Sequence, residues 1–186
     1  MRGYTADEVR AAEAPLLAAG VPLMSRAAAG LADAVAAELS ACGVPVHEAR
    51  VVLLVGSGDN GGDTLHAGAL LAGRGADIDY APLGSRVHRE GEVAALAAGA
   101  TRIDDAPGGS EFRAALEAAD AILDGIVGIG ATGGIHPDTG EAEEPDAVLP
   151  ADVTVTFGAC KAGLLRASAE VVGRIVLVDI GLGLEP

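Results

Sequence analysis

A continuous aliphatic run at residues 51–55, Val-Val-Leu-Leu-Val, is the feature of this chain that most limits its possible folds. Apolar and polar residues do not alternate along it, so the run predicts a strand buried on both faces, as in a parallel sheet. Residues 56–62 are glycine-rich and predict a turn into an alanine- and leucine-rich helix that ends near Gly73 or Gly75. Residues 77–83 have the pattern of a further strand, so this stretch predicts a βαβ unit.

Weaker helix and strand patterns follow the βαβ unit. They predict helices at 92–98 and 112–119 and strands at 102–103, 121–123, 153–157 and 175–179. Residues 125–150 are rich in glycine, proline and acidic residues without a sustained period, which predicts a loop. Strands that alternate with helices predict a Rossmann-like, three-layer α/β/α sandwich around a mostly parallel sheet.

Two N-terminal helices are predicted ahead of the aliphatic run. The first begins at Thr5, whose spacing to Glu8 is that of a capping box, and the second is alanine-rich and ends near Cys42. No strand is predicted before either helix, so both are expected to lie outside the core and cover the sheet. Because 186 residues, half of them hydrophobic, can bury one sizeable core, we expect a single domain over residues 1–186.

The composition argues against several kinds of partner. Aromatic residues make up 2% of the chain and the formal net charge is −15, which disfavours stacking on nucleic-acid bases and attraction to phosphate backbones or anionic lipid. The two cysteines cannot form the disulfide framework of a small secreted protein, and the first residues do not resemble a signal peptide. Apolar stretches stop well short of about 18 residues, the usual minimum for a membrane span. We therefore expect a cytoplasmic protein without nucleic-acid or membrane partners.

The glycine-rich turn has the chemistry of a binding site. Residues 56–61 form a G-x-G-x-x-G pattern between a strand and a helix, where backbone N–H groups can receive an anion. The same pattern also suits a tight turn whose glycines only permit close packing. Asp59, Asn60 and Asp63 lie inside the turn, and carboxylates beside a pyrophosphate are repulsive unless a cation intervenes. The residues therefore indicate a cation or a hydroxyl-rich ligand.

Residues 58–63, Gly-Asp-Asn-Gly-Gly-Asp, resemble the G-N-N-G-G-D turn of the NAD(P)H-hydrate epimerases, with Asp59 where many members have Asn. Three further stretches resemble the family in the expected order: residues 22–28, residues 124–130 and residues 154–163. In the last stretch relatives commonly read T-F-G-x-x-K-P-G, and here Ala162 replaces the proline. With the closing residues 179–181, the resemblance spans nearly the whole chain.

The resemblance implies an isomerase that interconverts the R and S epimers of hydrated NADH and NADPH, called NAD(P)HX, for cofactor repair. A partner dehydratase would then restore the cofactor, and relatives are often homodimers. The resemblance further implies a potassium ion held by Asn60 and Asp124, with Asp124 as the carboxylate available for acid and base catalysis. It places the substrate along two segments: Asp59, Asn60, Gly61, Gly62 and Asp63, and Gly128, Ile129, Gly130, Ala131, Thr132, Gly133 and Gly134.

One segment of the family is missing. Relatives continue after the loop near Gly130 with a helix and a strand ending in V-D-[IL]-P-S-G, whose Asp contacts the substrate and whose Ser helps coordinate potassium. This chain instead passes from residues 133–137 directly into residues 138–141, so that about one αβ unit is absent. An alternative is therefore a catalytically impaired member that binds a nucleotide or a protein partner. An ordinary NAD-dependent dehydrogenase ranks last, because no catalytic His or Tyr-Lys pair accompanies the glycine pattern.

Other side chains have weaker signals. Cys160 lies beside Lys161, and a neighbouring cation can activate a thiol, although a structural cysteine in a loop is the plainer interpretation. His66 lies one turn into the helix after the glycine turn, where a metal role is an alternative to a structural one. His88 and His136 are interpreted as solvated loop residues.

Overall fold

A computed structural model describes residues 1–126, 135–142 and 148–185 of the chain. The strands are β1 Gly3–Tyr4, β2 Arg50–Val55, β3 Asp77–Pro82, β4 Thr101–Arg102, β5 Ala121–Gly125, β6 Val153–Phe157, β7 Cys160–Lys161 and β8 Arg174–Val178. The helices are α1 Ala6–Ala18, α2 Leu23–Ala41, α3 Asp59–Gly73, α4 Arg89–Ala97, α5 Ser110–Glu117, α6 Ala162–Arg166 and α7 Ala169–Val172. A short 3-10 helix at Val46–Glu48 precedes β2.

Four strands form the largest sheet, in the order β4-β3-β2-β5, and every ladder in it is parallel. The aliphatic run forms the interior strand β2, as the sequence predicted. Val55, the last residue of β2, lies opposite Pro82 of β3 and Gly125 of β5. The carboxyl ends of three neighbouring strands therefore meet at one edge, which is the edge where open α/β sheets bind their ligands.

Helices cover both faces of this sheet. On one face Leu53 of β2 belongs to a buried cluster with Val35 of α2 and Leu65 of α3. On the other face Leu54 belongs to a second cluster with Phe112 of α5. Since successive residues of a strand point to opposite faces, the two clusters lie on opposite sides of the sheet. The predicted three-layer α/β/α arrangement with a mostly parallel sheet is confirmed.

Tyr80 connects β3, β4 and α4. Its side chain is fully buried, and its hydroxyl donates a hydrogen bond of 2.9 Å to Oε1 of Glu92. The same carboxylate forms an ion pair of 2.8 Å with Arg102. Burial, followed by the bond to Glu92, raises the pKa of Tyr80 to about 12, so the phenol keeps its proton at neutral pH. These contacts fix the start of α4 relative to β3 and hence the position of residues 83–88 between them.

The chain divides into two compact units, one formed by Ala28–Ile126 and the other by Met1–Ala27 with Val127–Pro186. The four-stranded sheet belongs to the first unit. In the second unit β6 pairs in parallel with β8 and β1 pairs in parallel with β7, each pair as a two-stranded sheet. The single domain expected over residues 1–186 stays a prediction.

Strand β1 corrects the sequence analysis, which predicted no strand ahead of α1. Gly3 and Tyr4 pair with Cys160 and Lys161. Two residues are too few to form a recognisable strand pattern, and their partners lie more than 150 residues away along the chain. Local sequence therefore contains no signal for this strand.

Helices α1 and α2 form where the sequence predicted them. The capping box at α1 is confirmed, because Thr5 N–H donates to Glu8 at 2.8 Å and Glu8 N–H donates to Thr5 Oγ1 at 3.2 Å. Within the part of the chain that the structure describes, no single helix is long and apolar enough to cross a membrane. Helices α1 and α2 together satisfy that test by length and composition only, and they are bent by 118° at the break between them.

Candidate functional site

The glycine turn connects β2 to α3 at the carboxyl edge of the sheet. Gly58 is the N-cap residue in an extended conformation, and α3 begins at Asp59. Asp59, Asn60 and Asp63 were predicted to lie within the turn, whereas all three belong to helix α3. The N–H groups at the start of a helix lack intrahelical partners and carry partial positive charge, so this helix start can receive an anion or a hydroxyl group.

Close backbone contacts explain several of the glycines. A Cβ added at Gly56 would lie 1.9 Å from the carbonyl oxygen of Ile126, and one at Gly61 would lie 2.3 Å from the carbonyl oxygen of Gly56. At Gly58 an added Cβ meets nothing within 4 Å. Packing therefore requires glycine at the first two positions, whereas Gly58 borders open space.

Asn60 and Asp124 lie at the same edge of the sheet. Asp124 is opposite Leu54, one residue before the end of β2. The carbonyl oxygen of Gly125 accepts a hydrogen bond of 3.1 Å from the N–H of Gly56, the residue after β2. A Cβ added at Gly125 would lie 2.0 Å from Thr64 Oγ1 and 3.2 Å from the carbonyl oxygen of Asn60. Strand β5 thus ends directly against the first turn of α3. Asp124 was predicted to follow the strand, whereas it belongs to β5 itself.

The carboxylate of Asp124 is exposed, while Leu123 before it is buried. Its Oδ1 accepts a hydrogen bond of 2.9 Å from the N–H of Ile126, which orients the side chain at the end of the strand. Asp63 contributes a second carboxylate, at the fifth residue of α3, and its Oδ1 atom is buried.

The second predicted substrate segment lies outside the described residues. It comprises Gly128, Ile129, Gly130, Ala131, Thr132, Gly133 and Gly134. The contact of these residues with a substrate stays a prediction, as do the substrate contacts of Asp59, Asn60, Gly61, Gly62 and Asp63.

A cleft of about 460 Å³ adjoins the glycine turn, between residues 57–59 and residues 86–89. Two of its lining side chains are the arginines Arg86 and Arg89. From sequence alone this segment was predicted to be a solvated loop, and the cleft was not predicted. A signal was present, because three basic residues, Arg86, His88 and Arg89, follow closely after a predicted strand of the same parallel sheet.

His88 has a defined structural role, which corrects its interpretation as a solvated loop residue. It is the N-cap residue of α4, and its Nδ1 accepts a hydrogen bond of 3.1 Å from the N–H of Gly91. Its ring also lies against the glycine turn, since a Cβ added at Gly62 would meet His88 Cγ at 2.9 Å. His136 is exposed, as predicted.

His66 faces His88, with 5.9 Å between the ring centroids. The described residues contain no group of three or more His, Cys, Asp or Glu side chains arranged to hold a metal ion, so the metal alternative for His66 has no support there. Burial lowers the pKa of His66, repulsion from His88 lowers it further, and Glu90 opposes these effects.

The lowered pKa of His66 predicts a pH dependence of stability. The unfolded chain binds a proton at this imidazole near its ordinary pKa of about 6.5, while the folded chain resists protonation to lower pH. The free energy of unfolding is therefore expected to fall as the pH drops through and below about 6.5. We expect His66→Gln to lose less thermal stability than the parent protein between about pH 7 and about pH 5. Equal losses in the two proteins would contradict this, and His47→Gln, at an exposed histidine, is the matched control.

Cys160 is not an activated thiol. It lies in strand β7 and is buried, and burial raises the pKa of its thiol more than the neighbouring Lys161 lowers it. The ammonium group of Lys161 donates to Thr156 Oγ1 at 3.2 Å, and Thr156 donates to the carbonyl oxygen of Ala159 at 2.9 Å. The threonine and lysine of the T-F-G-x-x-K stretch therefore contact each other within the core of their unit.

The chain is similar to known proteins over nearly its whole length. Residues 20–138 match the family described as YjeF-related protein N-terminus. The NAD(P)H-hydrate epimerase of Microbacterium testaceum is 44% identical, over 96% of this chain and 78% of the relative. That of Clavibacter michiganensis subsp. michiganensis is 39% identical, over 98% and 91%. The bifunctional NAD(P)H-hydrate repair enzyme Nnr of Mycobacterium tuberculosis is 40% identical, over 97% of this chain and 42% of the relative.

The fold is also similar to a solved structure. The crystal structure of yeast ynu0, YNL200c, matches with a TM-score of 0.76 and 16% identity, over 100% of this chain and 90% of that one. At this identity the likeness concerns the fold alone.

The lengths of the sequence alignments agree with the missing αβ unit. They run over 213 and 222 residues for the first two relatives, more than the 186 residues of this chain. The relatives therefore have residues within the matched region that have no counterpart here. Identity nevertheless extends across nearly the whole chain, and the family match covers more than half of it. The chain belongs to the family of the YjeF-related protein N-terminus.

Proposed function

We propose that this protein is an NAD(P)H-hydrate epimerase that interconverts the R and S epimers of NAD(P)HX for cofactor repair. The observation that carries the proposal is the position of Asn60 and Asp124 at the same edge of the sheet, in a chain whose relatives bear that name over nearly its full length. These names also favour the epimerase over a family member that only binds a nucleotide or a protein.

The chemistry requires a proton to be given and taken at one carbon. C6 of the hydrated nicotinamide carries a hydroxyl group and is bonded to the ring nitrogen. When the hydroxyl is protonated, the C–O bond breaks and water leaves, while the nitrogen lone pair forms a C=N bond and an iminium ion. Water then adds to the opposite face and loses a proton, which restores the neutral carbinolamine with inverted configuration. A general acid and base of this kind contributes about 10²- to 10⁴-fold to the rate.

Asp124 is the residue that we assign to this proton transfer. Its carboxylate is exposed at the edge where the substrate would lie, so it can be reached from solvent and by a ligand. The bond from Ile126 N–H to Oδ1 orients the group. One carboxyl group can perform both steps, because in its protonated form it gives a proton to the leaving hydroxyl, and the carboxylate that results takes a proton from the entering water.

We further propose that Asn60 and Asp124 hold a potassium ion. Amide and carboxylate oxygens suit a hard cation, and one carboxylate with one neutral amide supplies a single negative charge, which matches a monovalent ion. The residues present therefore fit the ion. When bound, it would supply positive charge beside the substrate. The substrate itself would contact Asp59–Asp63 at the start of α3 and the segment Gly128–Gly134.

The partners follow from the reaction. A dehydratase acting on one epimer would consume the product, and the bifunctional repair enzymes among the relatives support such coupling.

We propose a homodimer, supported by the exposed apolar side chains Leu70, Val93 and Leu96 on α3 and α4. A monomer in light scattering would contradict it.

We propose that the protein acts in the cytoplasm, because NADH and NADPH turn over there. Recovery of the protein in a secreted fraction would contradict this proposal.

The proposed activity predicts faster recovery of the cofactor from the epimer that a dehydratase cannot use. Adding this protein to that epimer together with a dehydratase is expected to accelerate the return of NADH absorbance well beyond the spontaneous rate, and more strongly in potassium than in sodium buffer. A chain boiled before mixing is the control. Recovery at the spontaneous rate in both buffers would exclude the activity.

A further inference from the structure

We propose that the cleft between the glycine turn and the segment that joins β3 to α4 binds the 2′-phosphate of hydrated NADPH, so that the enzyme prefers NADPHX to NADHX. This inference rests on the proposed function for the identity of the whole substrate. Its own basis is the set of side chains that line the cleft, namely Ser57, Asp59, Arg86, His88 and Arg89.

The two arginines of the cleft differ from four other arginines of the chain, Arg10, Arg50, Arg74 and Arg102, which form ion pairs with carboxylates. Arg10, Arg74 and Arg102 each form an ion pair with a carboxylate at 2.8 Å or less. Among the residues that the structure describes, neither Arg86 nor Arg89 forms an ion pair, although the chain contains 27 acidic residues. Two guanidinium groups without carboxylate partners, in a strongly acidic protein, are suited to an external anion.

The cleft is built by packed loops. Arg86 N–H donates to Ser57 Oγ at 3.3 Å, and the hydroxyl oxygens of Ser57 and Ser85 are 3.4 Å apart. A Cβ added at Gly84 would lie 2.2 Å from Ser57 Oγ, so the two segments touch there. These contacts hold the arginine-bearing segment against the glycine turn before any ligand binds, which reduces the entropy lost on binding.

The start of two helices adds to the charge. Helix α3 begins at Asp59 and helix α4 begins at Arg89, so both positive helix ends adjoin the cleft. The carboxylate of Asp59 is the one negative group among the described lining residues, against two guanidinium groups. The net charge of the cleft is therefore positive, in contrast to the chain as a whole.

The position in the fold identifies which phosphate would bind. In doubly wound nucleotide-binding sheets, a residue just after the second strand of the βαβ unit contacts the ribose of the bound dinucleotide. An acidic residue there binds a 2′-hydroxyl group, whereas an arginine there binds a 2′-phosphate. Here β3 ends at Pro82, the three residues that follow are uncharged, and Arg86 is the first charged side chain. The segment thus has no carboxylate to bind a 2′-hydroxyl, while Arg86 and Arg89 can donate charge-assisted hydrogen bonds to a phosphomonoester.

Calorimetry with two probes tests the inference without catalysis. The parent protein is expected to bind 2′-phospho-ADP-ribose at least about 10-fold more tightly than ADP-ribose, because the added phosphate accepts charge-assisted hydrogen bonds from the two guanidinium groups. Arg86→Gln and Arg89→Gln should each lose about 10-fold in affinity for the phosphorylated probe and less than about threefold for ADP-ribose. The control is Arg113→Gln, an exposed arginine on α5 across the sheet, with thermal melts to verify that each variant folds.

The outcomes separate this inference from the proposed function. Equal affinity of the parent protein for the two probes, or an equal loss for both probes in the arginine variants, would overturn the 2′-phosphate site. If the parent protein epimerises NADHX and NADPHX with the same KM, the cleft proposal fails while the function stands. If the protein binds 2′-phospho-ADP-ribose more tightly than ADP-ribose but epimerises neither NADHX nor NADPHX, the phosphate site is supported and the proposed function is wrong.

Discussion

Replacing Gly56 by alanine is expected to lower the free energy of unfolding by about 2–3 kcal/mol, which is the cost of forcing extra volume into a packed region. The added methyl group would lie 1.9 Å from the carbonyl oxygen of Ile126 and 2.8 Å from its Cα. Both atoms are backbone, so no side-chain rotation can relieve the clash, and β2 and β5 would have to separate where their carboxyl ends meet. Urea denaturation followed by circular dichroism measures the loss.

Gly58→Ala is the matched control for this prediction. It makes the same chemical change two residues later, where an added Cβ meets nothing within 4 Å. Its φ of −105° and ψ of −166° are open to any residue, so the variant should stay within about 0.5 kcal/mol of the parent protein. If both variants lost the same stability, close packing would not be the reason for glycine at position 56.

The central βαβ unit could be predicted because each part has a short-range signal. An unbroken aliphatic run specifies a strand buried on both faces, and β2 occupies that interior position. The capping box at Thr5 is likewise a local pattern of two side chains, and both of its hydrogen bonds form. The resemblance to the epimerase family added the order of the motifs along the chain.

The start of α3 could not be predicted in the same way, because tertiary packing there outweighs the low helix propensity of glycine. Glycine is unfavourable in helices, so a sequence with two adjacent glycines predicts a turn. In the structure both glycines lie inside the helix, since a Cβ at Gly61 would meet the carbonyl oxygen of Gly56 at 2.3 Å and one at Gly62 would meet the His88 ring at 2.9 Å. These contacts involve residues beyond the local pattern, and only the folded chain reveals them.

The cleft at Arg86 and Arg89 was missed for a related reason. Taken alone, a short basic segment is most often a solvated loop. Its meaning changes only when the parallel order of β2 and β3 places it beside the glycine turn, and when the contact between Ser57 and Gly84 holds it there. Strand order was part of the predicted fold, but the loop contact was not.

Asp124→Asn is expected to reduce kcat/KM for epimerisation by about 100-fold or more, the loss typical of removing a general acid and base. The amide keeps the size of the carboxylate and can still accept the hydrogen bond from Ile126 N–H, so the end of β5 should retain its structure. What is lost is the ability to give and take a proton, together with the single negative charge proposed to balance potassium. The variant should therefore melt within a few degrees of the parent protein while its activity falls.

Asp77→Asn makes the same substitution at the opposite end of the sheet. Asp77 begins β3, is exposed, and contacts Arg50 at a distance of 3.7 Å, so its loss removes a surface ion pair of little energetic value. Its activity should match that of the parent protein. If Asp124→Asn retained more than about a tenth of the parent activity, the loss would be smaller than the range for general acid and base catalysis. Another group would then have to transfer the proton. Asp63, with a buried carboxylate oxygen at the start of α3, would then be the next side chain to replace.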